Sequence, residues 1–152
     1  MAYATSDARR DLLKALASAT DKLGAALAAL GVAYEQLDER TADRLEDELF
    51  GPVQKAYGRA QRTYTGFAQR YGLPARTFRA PAARLPSTGV KGLIESAADA
   101  VAEADDALGE LQDSMLPVEV GDLELRAGLA QVRELVDGFG IRARDLLRGF
   151  GR

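Results

Sequence analysis

The stretch from Leu12 to Leu37 reads LLKALASATDKLGAALAALGVAYEQL. Its large apolar residues, together with one threonine, recur at alternating steps of three and four residues. This is the heptad pattern of a helix that buries one face against other helices. The positions are Leu13, Leu16, Thr20, Leu23, Leu27, Leu30, Tyr34 and Leu37. The stretch therefore predicts a long amphipathic helix at the start of the chain.

Three later segments carry the same spacing, and no segment shows sustained strand alternation. The second seam is Phe50, Val53, Tyr57, Ala60, Tyr64, Phe67 and Tyr71. The third is Ile94, Ala97, Val101, Ala104, Leu108, Leu111 and Met115. The fourth is Leu125, Leu129, Val132, Val136, Phe139, Ala143, Leu146 and Phe150. The pattern predicts an all-α, single-domain, up-and-down four-helix bundle over residues 1–152. Its helices are expected at about 6–38, 43–71, 89–116 and 122–149.

The end of the first helix leaves two alternatives. Gly51-Pro52 is the strongest helix breaker in this region and would end the helix near residue 50. The first seam, continued past Leu37, would instead place Thr41, Arg44 and Glu48 in the core. We therefore favour a turn at residues 38–43, with a kink in the second helix at Pro52.

A long connector separates the second and third predicted helices. Residues 72–88 contain three prolines and three arginines, with Phe78 among the arginines. Loops longer than about 12–15 residues are uncommon and are often functional. The segment is interpreted either as a recognition loop or as an inert crossover to a distant helix.

Charge is unevenly distributed along the chain. Leu49–Ile94 contains eight Lys or Arg and no acid, whereas Gly92–Leu125 contains ten Asp or Glu and no base, although the net charge is only −3. In an up-and-down bundle these blocks would collect at opposite ends. The predicted basic pole comprises Arg70, Arg76, Phe78, Arg79, Arg84, Lys91, Arg144 and Arg148. The predicted acidic pole comprises Asp43, Glu46, Asp47, Asp106, Glu110 and Asp113.

The composition offers little for catalysis. The chain has no Cys and no His, which excludes thiolate chemistry and removes the usual general base and the commonest metal ligand. Its glycine-containing segments match neither a P-loop nor a dinucleotide fingerprint. The carboxylates of the third helix lie beside its apolar seam and are interpreted as a solvated face. We therefore expect no enzyme activity and predict no catalytic residue, cofactor or metal.

Three functions remain open at this level. The first is an interaction or adaptor module that binds a protein partner or forms a homo-oligomer through its poles. The second is an anionic-surface binder using residues 72–88, with a membrane favoured over nucleic acid because the sequence pI is about 5.1. The third is a small-molecule carrier using the tyrosines of the second seam. Because residues 1–10 lack the apolar core of a signal peptide and no run reaches the roughly 18 apolar residues of a membrane span, we expect a cytoplasmic protein.

Overall fold

The computed structural model describes residues 2–151, and the side chains of residues 5–150. Within these residues the regular structure is helical and no strand occurs. The elements are α1 (Ala2–Glu35), α2 (Glu39–Leu45), a π-helical turn (Glu46–Phe50), α3 (Gly51–Arg70), α4 (Gly89–Asp113), α5 (Leu116–Val120), α6 (Leu123–Val136), α7 (Phe139–Arg148) and a 3₁₀ turn (Gly149–Gly151). The fold class is all-α.

The four apolar seams meet in one hydrophobic core. Large side chains from each seam are almost fully excluded from water, and together they hold the helices in one packed unit. They include Leu16, Leu23, Leu30, Phe67, Ile94, Leu108, Leu125, Leu129 and Phe139. Tyr34 and Met115, which also belong to the seams, remain exposed.

Contacts between distant residues give the direction of each helix. Arg70 contacts Asp122, Arg59 contacts Gln131, and Arg142 contacts the carbonyl of Glu48. As residue numbers fall along α3 and the π-helical turn, they rise along α6 and α7, so these segments are antiparallel. An up-and-down bundle would make them parallel.

The predicted up-and-down connectivity is therefore wrong. Helix α6 also runs antiparallel to α4, which precedes it in the chain and packs against it through Arg133 and Asp105. Helices α3 and α4 must then point the same way. The chain runs up through α1, down through α2 and α3, down again through α4, and up through α6 and α7.

Residues 71–88 make the parallel arrangement possible because they return along the helices instead of closing a hairpin. We call them the crossing segment. Phe78 is only 8% exposed and packs edge-to-face on Tyr64, with ring centroids 5.0 Å apart. The Arg76 guanidinium stacks on the other side of Phe78 and donates from Nη1 to Asp21 Oδ2 of α1 at 3.1 Å. The assignment of Phe78 to an exposed basic pole is therefore wrong, because its ring belongs to the core.

The π-helical turn corrects a one-residue mismatch between two apolar patterns. Extended backward, the heptads of α3 would bury positions 43, 46 and 50, but the buried residues are Ala42, Leu45 and Leu49. A π turn accommodates one extra residue: the Gly51 N–H donates to the Glu46 carbonyl, five residues earlier. The second long helix therefore begins at Glu39, and Phe50 is only partly buried.

Pro52 explains why the π turn lies where it does. Proline has no N–H, so the Glu48 carbonyl loses its helical partner. Arg142 Nε of α7 donates to that carbonyl at 2.9 Å and satisfies it. In place of the predicted kink at Pro52, the helix changes from α to π just before the proline, and the hydrogen bond from Arg142 of α7 stabilises this change.

Glycines divide the last predicted helices. The helix expected at 122–149 is interrupted at Gly138, whose φ of 75° is left-handed and ends α6. The helix expected at 89–116 ends at Asp113 and is followed by the short α5, which ends at Gly121 with φ 63°. Asp122 then caps α6 by accepting a hydrogen bond from the Leu125 N–H at 2.8 Å.

Candidate functional site

The structure does not gather the predicted poles. Arg70 lies at the end of the molecule that holds Asp122 and Glu124. The start of α4 and the end of α7 lie at the opposite end, beside the π-helical turn. Lys91, Arg144 and Arg148 therefore share an end with Asp43, Glu46 and Asp47, while Asp106, Glu110 and Asp113 share an end with Arg70. Helix α4 runs in the opposite direction to the one predicted, so its basic start and its acidic end have exchanged places. Both ends of the molecule therefore carry cations and carboxylates together.

Arg70 belongs to a structural junction and not to an open binding surface. Its Nε and Nη2 donate to the Asp122 carboxylate at 2.8 and 2.7 Å, and its Nη1 donates to Glu124 at 2.7 Å. Burial raises the pKa of Asp122, but hydrogen bonds from Arg70 and the Leu125 N–H outweigh it and hold that pKa below its usual value. Burial and the neighbouring Asp122 raise the pKa of Tyr71. This junction joins the end of α3 to the start of α6.

Arg76 and Arg133 are also engaged within the fold. Arg133 Nε donates to Asp105 at 2.8 Å and Nη1 donates to Gln112 at 2.8 Å. Its guanidinium covers Gly109, where an added Cβ would lie 3.2 Å from Cζ. These arginines position helices and the crossing segment, so they are poor candidates for recognition of a partner.

Three cations that form no ion pair with the described residues lie along the outer face of α3. Lys55, Arg59 and Arg62 make no ion pair in the part of the chain that the structure describes. Arg59 donates only to neutral oxygens, those of Gln131 and Thr63. We call these three cations the basic edge. The predicted basic pole did not include these residues, because the predicted connectivity collected charge at the two ends of the bundle and not along the side of a helix.

A groove between α3 and α6 borders the basic edge. It has a volume of about 410 Å³ and is lined in part by Lys55, Gly58, Arg59, Gln131 and Leu135. The helices approach closely where Gly128 faces Thr63: an added Cβ at residue 128 would lie 2.2 Å from the threonine Oγ1. A second pocket shares Lys55 with this groove and is also lined by the carboxylates Glu134 and Asp137.

The outer face of α4 carries the opposite charge. Asp99, Glu103, Asp106 and Glu110 are exposed there, and we call them the acidic edge. Within the described residues one ion pair reaches this edge, from Lys22 Nζ to Glu103 at 3.4 Å. Helices α3 and α4 each pack against α1 and α6 rather than against each other, so they occupy diagonally opposite positions. The charge separation seen in the sequence therefore runs across the molecule and not along it.

Arg79 and Arg84 of the crossing segment are exposed and form no ion pair within the described residues. Arg79 follows the buried Phe78, which packs on Tyr64 of α3. These two arginines remain candidates for contact with a partner. The others named in the predicted basic pole are paired, as with Lys91 and Glu95 or Arg148 and Asp145, or are distant from α3, as is Arg144.

The aromatic seam is filled by protein. The Tyr57 ring lies over Gly24, where an added Cβ would be 3.1 Å from Cε1. Tyr64 packs on Phe78, and Phe67 lies 4.7 Å from Tyr71 between ring centroids. Burial and the nearby Asp21 raise the pKa of Tyr57. The ring faces that a small molecule would use are covered by neighbouring residues.

Among residues 2–151, no group of three or more Asp or Glu side chains is arranged to hold a metal ion. Thr5–Glu35 of α1 is long and apolar enough to cross a membrane by length and composition alone, with half of its most apolar window buried against the other helices. No family model, curated protein or solved structure matches this chain at a significant level.

Proposed function

We propose that this chain is a non-catalytic interaction module built as a four-helix bundle with one long crossing connection. In this arrangement α2, the π-helical turn and α3 form the second helix, and α6 with α7 forms the fourth. The basic edge and the acidic edge are its recognition surfaces. The observation that carries the proposal is that the exposed edges of two diagonally opposite helices carry opposite charge, cations on α3 and carboxylates on α4.

The two edges are complementary to each other, so the partner we propose first is a second copy of the chain. The basic edge of one copy would face the acidic edge of the next. Such a contact is heterologous, because it uses different surfaces on the two molecules, and it leaves one edge of each kind free. Association would therefore extend into open chains instead of stopping at a symmetric dimer.

Analytical ultracentrifugation at low and high salt tests this proposal. Exposed ion pairs contribute roughly 0.5 kcal/mol each, so three pairs predict about tenfold weaker association when they are screened or reversed. The basic-edge reversal variant is Lys55→Glu/Arg59→Glu/Arg62→Glu. The matched control, Lys14→Glu/Arg126→Glu/Arg144→Glu, changes the net charge equally on three other helices. Raising the salt from about 20 mM to about 500 mM should weaken self-association of the wild type. At about 20 mM salt, the basic-edge reversal should weaken self-association by a similar factor, and the control should not. Equal losses in the two variants would refute recognition by the edge.

A second candidate is binding of the basic edge to an anionic membrane surface. It is favoured because Lys55, Arg59 and Arg62 pair with no carboxylate among the described side chains of residues 5–150. Each of these cations would contribute about 1 kcal/mol near such a surface. Co-pelleting with vesicles containing phosphatidylserine, compared with phosphatidylcholine vesicles, tests this candidate. Binding that survives in the basic-edge reversal variant would exclude the edge as the site.

The remaining alternatives receive less support. Nucleic acid stays the weaker anionic partner, because the acidic edge would repel a long duplex and the sequence pI is about 5.1. The small-molecule carrier is disfavoured by the packing of the aromatic seam. A cytoplasmic location remains a prediction.

A further inference from the structure

A notch lies where the end of α1 meets the π-helical turn. Its volume is about 280 Å³, and it is lined by Gly31, Tyr34, Glu35, Glu46 and Phe50. An added Cβ at Gly31 would have no atom within 4 Å, so the floor of the notch is open to solvent. The notch is separate from both charged edges, and no residue of either edge lines it.

Both aromatic walls of the notch are residues that the heptad pattern assigns to the core. Tyr34 continues the α1 seam but is 39% exposed, because it lies at the end of α1, where the chain turns at residues 36–38. Phe50 is displaced from the core because the π-helical turn gives Leu49 the buried position. π-helical turns occur frequently at functional sites. One exposed ring, Tyr34, and one partly buried ring, Phe50, thus line the notch at a place where the fold departs from regular helical packing.

The charge around the notch selects the type of occupant. Its charged lining residues, Glu35 and Glu46, are acidic, and both are exposed. A cation over an aromatic face gains electrostatic stabilisation, and the carboxylates add to it. Among natural cations, a planar guanidinium stacks on rings and offers paired donors to carboxylates, whereas an ammonium is a compact point charge.

We propose that this notch binds an arginine side chain presented by a partner protein. The guanidinium stacks against the aromatic walls formed by Tyr34 and Phe50, and its N–H groups donate to Glu35 and Glu46. This site is independent of the edge-to-edge association proposed above, so the two proposals can fail separately.

Titration followed by ¹H–¹⁵N chemical shifts tests the site directly. The probe is N-acetyl-arginine N-methylamide, and the matched control is its citrulline counterpart, which keeps the shape but lacks the charge. We expect saturable shifts centred on Gly31 and Phe50 with the arginine probe and no saturable shifts there with citrulline. Equal responses to the two probes, or no saturable response to arginine, would overturn the proposal.

Variants separate the contributions of charge and aromatic stacking. Phe50→Leu removes the π face and should weaken the arginine probe about two- to fivefold. Glu46→Gln should weaken it by a similar factor of about two to five. Glu39→Gln, on an exposed acid outside the notch, should leave the affinity unchanged, and thermal unfolding confirms that each variant is folded. Unchanged affinity in both notch variants would overturn the site.

Other cations test whether arginine is the correct occupant. The lysine analogue of the probe should bind more weakly, because an ammonium cannot stack as a plane. A lysine probe that binds as tightly as arginine would overturn the assignment to a guanidinium. Tetramethylammonium that binds more tightly than either would overturn the assignment to a protein side chain.

Discussion

The contact between Arg70 and Asp122 provides a quantitative test of how the helices are connected. These residues are 52 positions apart and join the end of α3 to the start of α6. In an up-and-down bundle they would lie at opposite ends of the molecule and act independently. A double-mutant cycle with Arg70→Ala and Asp122→Asn therefore measures the connectivity.

The expected magnitude follows from the geometry. The Asp122 side chain is 6% exposed and receives two charged hydrogen bonds from Arg70, whose side chain is 33% exposed. Asparagine keeps the cap on α6, so Asp122→Asn removes mainly the charge. Because water partly replaces the lost partner of Arg70, we expect a destabilisation of about 1–2 kcal/mol, at the lower end for charged hydrogen bonds. For a chain of this size that lowers Tm by about 3–6 °C.

Urea unfolding of wild type, both single variants and the double variant gives the coupling free energy. We expect about 1 kcal/mol of coupling between Arg70 and Asp122. Glu124→Gln serves as the control, since that carboxylate is 78% exposed, and should change stability by less than about 0.5 kcal/mol. Additivity of the two single variants within about 0.3–0.5 kcal/mol would refute the contact and the chain direction inferred from it.

The same variant predicts a pH dependence. The folded-state pKa of Asp122 lies below the unfolded value of about 3.9. Its stabilising contribution is therefore complete above that value and is lost as the pH falls through the folded-state pKa. The difference in unfolding free energy between wild type and Asp122→Asn should shrink in acid. A difference that stays constant from neutral to strongly acidic pH would contradict this assignment.

Three further variants test the packing. Phe78→Ala should lower the free energy of unfolding by about 2 kcal/mol, less than the loss at a helical core residue, because the crossing segment can detach locally. The variant should also be cleaved faster by trypsin at Arg79 and Arg84. Unchanged cleavage would contradict the anchoring role of Phe78. Gly128→Ala should cost about 1–3 kcal/mol through its clash with Thr63, and Thr63→Ala should restore part of that loss in urea unfolding; no restoration would place the strain elsewhere. Arg142→Ala leaves the Glu48 carbonyl without its donor and should destabilise the protein by about 1–3 kcal/mol in thermal unfolding. The control Arg144→Ala, on the exposed face of α7, should destabilise it by less than about 0.5 kcal/mol. Equal effects of the two variants would contradict a stabilising hydrogen bond from Arg142 to the carbonyl.

Local sequence patterns predicted the helices well and their arrangement poorly. The spacing from Leu13 to Leu30 identifies a buried helical face because side-chain periodicity is a local property. The direction of α4 depends on where residues 71–88 travel. That path is set by the packing of Phe78 on Tyr64 and by the hydrogen bond from Arg76 to Asp21. Contacts of this kind produce no periodic pattern in the sequence.

The candidate surfaces were likewise predictable where they depend on local sequence and unpredictable where they depend on helix direction. The charge blocks were visible in the sequence, and helical spacing alone puts Asp106 and Glu110 on one face of α4. Whether charge collects at an end or along a side depends on the direction of α3 relative to α4. The notch was hidden for a different reason: the heptad rule assigns Tyr34 and Phe50 to the core, and only the one-residue shift at Leu49 reveals that Phe50 is displaced.

Mixing two edge variants tests the central claim most directly. The acidic-edge reversal variant, Asp99→Lys/Asp106→Lys/Glu110→Lys, keeps a functional basic edge, and the basic-edge reversal variant defined above keeps a functional acidic edge. Sedimentation velocity at about 20 mM salt should show wild type in extended oligomers and each variant alone as a monomer, because like charges then repel. An equimolar mixture should associate again into alternating open oligomers, because both edges of one variant are acidic and both edges of the other are basic. A mixture that remains monomeric while wild type associates would show that the charged edges of α3 and α4 do not recognise each other.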